Sequence, residues 1–98
     1  MTSPSLINML LIDDHFVVRS GIVASLELED DICIVAQGER GEQASSLYDK
    51  HRPHVVLMDL QLSGISGVEA TKLLLTAFPQ AHVLIFSTFA RDDEIQAA

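Results

Sequence analysis

Short apolar runs alternate with longer amphipathic stretches along the chain, and this βαβα rhythm predicts an α/β fold. Leu6 to Ile12 reads as a first strand buried on both faces, and it ends abruptly at two acids, Asp13 and Asp14. Phe16, Val17, Ile22, Val23 and Leu26 then recur at roughly helical spacing, predicting an amphipathic helix from Phe16 to Glu29. Ile32 to Ala36 is a second β-rich run, and Gly38 to Gly41 forms a turn region opening a helix over Glu42 to His51. Pro53 leads into a third strand, His54 to Met58, which again runs straight into an acid, Asp59. A Ser/Gly-rich connection (Ser63, Gly64, Ser66, Gly67) precedes a helix over Val68 to Phe78, closed by Pro79. His82 to Phe86 is a fourth strand ending in the hydroxyls Ser87 and Thr88, and Arg91 to Ala98 reads as the first turns of another helix.

Composition narrows the function. The 98 residues are 48% hydrophobic, enough for one domain or part of one and too few for a separate substrate domain. A net charge of −8 argues against direct binding of nucleic acid or anionic lipid by this segment. The apolar runs are far short of the roughly 20 residues needed to span a bilayer. A single cysteine, Cys33, and the lack of a signal-peptide pattern point to a reducing cytoplasm. Cys33 itself is expected to be an inert core thiol.

Doubly wound parallel sheets place ligands beyond the carboxyl ends of their strands, where strand order reverses. If the first and third strands are neighbours, as a 2-1-3-4 order makes them, Asp13, Asp14 and Asp59 converge on one crevice. Oxygen donors in a chain without a His/Cys cluster suit a hard cation such as Mg²⁺. At about 5 Å separation and an effective dielectric of about 20, each carboxylate pair repels by roughly 3 kcal/mol, which a divalent cation relieves. The competing reading is that each acid merely caps a helix or ends a strand in water. Three acids reaching one sheet edge beside a Ser/Thr pair favour a site.

These residues resemble the receiver domain of bacterial two-component response regulators, in the NarL/FixJ (LuxR-type) subfamily. Leu11-Ile12-Asp13-Asp14-His15, followed by Val18-Arg19-Ser20-Gly21, looks like the acidic-pair motif. Val55 to Leu60, with Gly67-Val68-Glu69 after it, is similar to the segment around the phosphoacceptor, and Val83 to Ser87 resembles the fourth strand with its switch hydroxyl. The resemblance implies a flavodoxin-like fold in which Asp59 takes a phosphoryl group from a sensor histidine kinase or a small donor such as acetyl phosphate. It also implies Mg²⁺ held by Asp13, Asp14, Asp59 and the backbone carbonyl of Gln61, with Ser87 as switch hydroxyl and Thr88 a less favoured choice. Such a domain is a phosphoacceptor that promotes its own phosphorylation and dephosphorylation rather than a conventional enzyme.

Two departures stand out. Ser63 occupies the position where the family usually has Pro, which is expected to leave the loop freer. A complete receiver also carries a fifth strand with an essential Lys and a last helix, and the subfamily adds a helix-turn-helix DNA-binding domain. The sequence contains neither, and Lys50 and Lys72 fall on helices. An apolar fourth strand left at the sheet edge is expected to be covered in a longer protein or by homodimerisation or domain swapping.

Two other functions compete for the same residues. A haloacid-dehalogenase-type phosphohydrolase also uses an Asp nucleophile and Mg²⁺ but wants a second acid where this chain has Gln61. A truncated or degenerate receiver acting through protein contacts without phosphorylation is the other alternative. His51, His54 and His82 lack metal-ligand spacing and read as surface or packing residues. His15 is also read mainly as packing, with tuning of the acidic site as the second reading. The Glu27 to Asp31 acids are a solvated helix end whose charge opposes the helix dipole.

Overall fold

The computed structural model describes residues 6–87, and in it the four apolar runs are strands. The order is β1 (Ile7–Ile12), α1 (Phe16–Leu26), β2 (Ile32–Gly38), a 3₁₀ turn (Gly41–Gln43) leading into α2 (Ala44–His51), β3 (Val55–Asp59), α3 (Gly67–Ala77) and β4 (Val83–Phe86). The strands form one parallel sheet in the predicted order β2-β1-β3-β4. Parallel neighbours need crossover connections, and the three helices supply them. The path runs one way from β1 to β2, then back across β1 to β3 and on to β4. Right-handed crossovers therefore put α1 on one face and α2 and α3 on the other.

The central strand β1 is the most protected, with Leu10, Leu11 and Ile12 fully buried. Leu10 and Ile12 join Val56 and Met58 of β3 in a core closed by Ala44 and Tyr48 of α2 and Ala70 and Leu74 of α3. Each large side chain buried there contributes about 1.5–3 kcal/mol relative to exposure. Local signals fix the helix ends. The Ser66 hydroxyl accepts a hydrogen bond from the Glu69 N–H (3.1 Å) and starts α3. Helix α2 stops at Arg52, which takes the left-handed conformation (φ 45°) usually left to glycine. Its guanidinium lies over the rings of Phe78 (4.8 Å) and Tyr48 (5.6 Å) and bonds Asp49 (2.8 Å), contacts that offset the backbone strain.

Several element boundaries and faces differ from expectation. Helix α1 ends at Leu26 rather than Glu29, and the acids that follow it are exposed. Its inward stripe is Val18, Arg19, Ile22, Val23 and Leu26, all partly buried, while Phe16 and Val17 are 70% and 79% exposed. The helix packs on the sheet through the later stripe, and this leaves the first two apolar residues facing outward. Cys33 is only partly buried, because β2 lies at an edge of the sheet. The other edge of the described sheet is β4, where Leu84 (59%) and Ile85 (42%) remain exposed. The helix predicted over Arg91 to Ala98, and Thr88, lie outside the described residues.

Candidate functional site

Strand register builds the site. Ile12 pairs with Met58, so the next residues, Asp13 and Asp59, emerge side by side at the carboxyl edge of the sheet. This is the point where the chain's path reverses between β1 and β3, the place where doubly wound folds bind ligands. Asp13 and Asp59 are fully buried, and Asp14 is partly so.

Backbone groups hold each acid. The Asp13 N–H donates to the Gly38 carbonyl (3.0 Å), and Asp13 Oδ1 accepts from the His15 N–H (2.8 Å). Arg19 reaches back from α1 and donates to the Asp13 carbonyl (2.6 Å), with Glu39 3.5 Å from its other nitrogen. Asp59 Oδ1 accepts from the Gln61 N–H at 3.2 Å. The chain after Asp59 is pressed close to the start of α3, where the Gly67 N–H donates to the Leu60 carbonyl (3.0 Å). A Cβ on Gly67 would overlap the Asp59 carbonyl oxygen, so only glycine lets α3 begin this near the acid.

One ligand atom from each of Asp13, Asp14, His15 and Asp59 falls within a 4.8 Å cluster. Asp13 Oδ2, Asp14 Oδ1 and Asp59 Oδ2 are buried without a backbone or hydroxyl donor, and the His15 ring nitrogen stands close to the last two. Buried carboxylate oxygens normally find full sets of donors, and three so poorly supplied in a single pocket fit a bound cation. The donor set is hard oxygen, as Mg²⁺ requires.

His15 follows the second of its two readings, tuning of the acidic site, rather than packing. Its Nδ1 stands 2.9 Å from Asp14 Oδ1, 3.2 Å from Asp13 Oδ1 and 3.5 Å from Asp59 Oδ2, so it faces the acids rather than packing away from them. The signal was its position directly after the acid pair, at the N-terminal boundary of α1. Burial pulls its pKa down, but the hydrogen bond to Asp13 and the charges of Asp14, Asp13 and Asp59 outweigh this and raise it. Burial drives the Asp59 carboxyl above the ordinary carboxylate range; the Gln61 hydrogen bond opposes the rise and the Asp13 charge adds to it. For Asp14, burial acts upward, yet the two hydrogen bonds from Ser63 and the nearby His15 hold it below the usual value.

Those bonds also correct the expectation of a freer loop. The Ser63 N–H (2.8 Å) and hydroxyl (2.7 Å) both donate to Asp14 Oδ2, tying the β3–α3 connection to the end of β1. Ser87 is exposed and follows Phe86, which pairs with Asp59 and accepts from the Leu60 N–H (2.7 Å). Lys50 and Lys72 are exposed on α2 and α3, outside the acid cluster. His51, His54 and His82 also lie outside the cluster, and His54 Nδ1 accepts from the Asn8 N–H (2.8 Å).

Fold and pocket define the class: a flavodoxin-like α/β domain with an acidic cluster at its switch point. Residues 9–98 match the response regulator receiver domain family, and the chain belongs to it. It is 41% identical over 88 residues to the transcriptional regulatory protein DegU of Brevibacillus brevis, covering 90% of this chain and 36% of that protein. It is 36% identical to LiaR of Bacillus subtilis, covering 92% and 43%. A LuxR-family response regulator from Aurantimonas superposes with a TM-score of 0.82 at 32% identity, over 94% of this chain and 66% of that one. These relatives place the domain among NarL/LuxR-type regulators. The chain spans less than half the length of the two curated relatives.

Proposed function

We propose that this domain accepts a phosphoryl group on Asp59 and passes the resulting change to an output domain. The observation that carries the reading is Asp59 itself, fully buried beside Asp13, with Oδ2 accepting no backbone or hydroxyl hydrogen bond and its pKa raised by burial and by Asp13. A carboxylate oxygen of Asp59 attacks phosphorus, the bond from phosphorus to the donor breaks, and an acyl phosphate forms as the donor fragment leaves with the bonding electron pair. Asp13, Asp14, Asp59 and the backbone carbonyl of Gln61 are the residues that would hold Mg²⁺. Bound there, the ion neutralises charge on the transferring group. The Gln61 N–H keeps the Asp59 side chain oriented, and Arg19 holds the Asp13 backbone. Ser87, one residue past the partner of Asp59, is assigned as the hydroxyl that meets the phosphoryl oxygens. Its movement would carry the signal to the surface.

The donor class is a sensor histidine kinase or a small acyl phosphate, met by this domain in the cytoplasm. The output is a DNA-binding domain, as the names of the transcriptional regulators among the relatives suggest. No described helix is long and apolar enough to cross a membrane.

The test is intact mass after incubation with Mg²⁺ and acetyl phosphate, for the chain, its Asp59→Ala variant and a version extended beyond Ala98. Gain of one phosphoryl that Asp59→Ala abolishes supports the reading. No gain in any folded form favours a module that acts by protein contacts alone.

A further inference from the structure

We propose that Ser63 is a positioning residue for the cation site: through two hydrogen bonds it fixes the Asp14 carboxylate and so sets the affinity of the pocket for a divalent cation. The inference rests on the receiver reading above and concerns a residue at which this chain departs from the resemblance. Both donors of Ser63, its N–H at 2.8 Å and its hydroxyl at 2.7 Å, converge on the same oxygen, Asp14 Oδ2. Oδ1 is thereby left buried and facing the cluster, where the His15 ring nitrogen stands 2.9 Å away. Two charge-assisted bonds to one oxygen hold the carboxylate against rotation, as partners behind a metal ligand do.

Proline at this position supplies neither bond, because it has no N–H and no hydroxyl. Ser63 is exposed, so its hydroxyl is not there to satisfy burial. The loop on either side is anchored independently: Leu62 and Ile65 pack against the core, and Gly64 turns the backbone between them with φ 81°. Ser63 is thus held at the height of Asp14 by its neighbours, and its own side chain is spent on orienting that acid.

The experiment measures Mg²⁺ binding to the full chain by isothermal titration calorimetry, with amide NMR shifts as a second readout, in wild type, S63T, S63A and S63P. Threonine keeps both donors and is expected to bind as wild type does. S63A, which keeps the N–H alone, is expected to bind about tenfold more weakly, and S63P at least as weakly. In a D14A background, S63A is expected to have no further effect, since the group it positions is gone. Circular dichroism identifies any unfolded variant; if S63P unfolds, S63A decides. Wild-type binding matched or exceeded by folded S63A overturns the role of Ser63 and leaves the receiver reading standing. Absence of Mg²⁺ binding by folded wild type overturns both.

Discussion

His15 Nδ1 lies 2.9 Å from Asp14 Oδ1, so the residue directly after the acid pair turns back into the pocket those acids form. Protonated, it is a built-in counter-charge for Asp13, Asp14 and Asp59. Folding raises its pKa above 6.5. The stability it contributes is therefore fully present below the unfolded-state value and lost as pH rises through the folded-state value. Thermal melts in EDTA from about pH 5 to about pH 9 are expected to show Tm falling across the window above the unfolded value. His15→Asn is expected to flatten that fall, and an unchanged slope would count against the ion pairing. Mg²⁺ affinity is expected to rise across the same window in wild type, as discharge of the imidazole removes a competitor.

Asp59 has the opposite sign. Its raised pKa means that the charged form is less comfortable folded than unfolded, so its charge costs stability above the unfolded value of 3.8. Asp59→Asn removes one member of a repelling cluster and is expected to stabilise the cation-free chain by about 1 kcal/mol, or about 4–8 °C in Tm. The figure is smaller than the bare repulsion of roughly 3 kcal/mol per pair because His15 already offsets part of it. The same variant is expected to lose all phosphoryl uptake by intact mass. Destabilisation by Asp59→Asn would contradict the crowding of these acids.

Divalent cation should act on stability as well. With free Mg²⁺ at about 100 times its dissociation constant, the folded state gains about 2.7 kcal/mol, reversed by EDTA. Asp13→Asn is expected to abolish most of this gain while changing the EDTA melt little in comparison. Equal Mg²⁺ stabilisation of both proteins would move the binding site away from Asp13.

Gly67 is expected to be intolerant of even one methyl group. Because a Cβ there overlaps the Asp59 carbonyl oxygen, Gly67→Ala must push α3 from the end of β3. A loss of about 2–4 kcal/mol is expected by urea denaturation, with phosphorylation reduced in whatever remains folded. A neutral Gly67→Ala would mean that α3 can shift without disturbing the acid.

The sheet and its acids were legible because β1 and β3 are near-continuous apolar runs that stop at Asp13 and Asp59, a one-dimensional signal that survives without tertiary knowledge. The outward turn of Phe16 and Val17 was not, since their apolar character says nothing about which stripe of α1 packs on the sheet. Cys33 was placed in the core from its strand, but burial of a strand depends on its place in the sheet, and β2 is at an edge. Ser63 read as a loosened loop because its partner, Asp14, is 49 residues away and meets it only once the sheet has formed. Position alone left His15 open between packing and tuning of the acids, since the choice depends on its own N–H bonding Asp13 and on where the ring then lies.

The pairing of Ile12 with Met58 makes the sheet the ruler of the pocket. A slip of one residue between β1 and β3 moves Asp59 about 3.3 Å along the strand and turns its side chain to the other face. A chain zipped out of step would lose its acid pocket along with its packing.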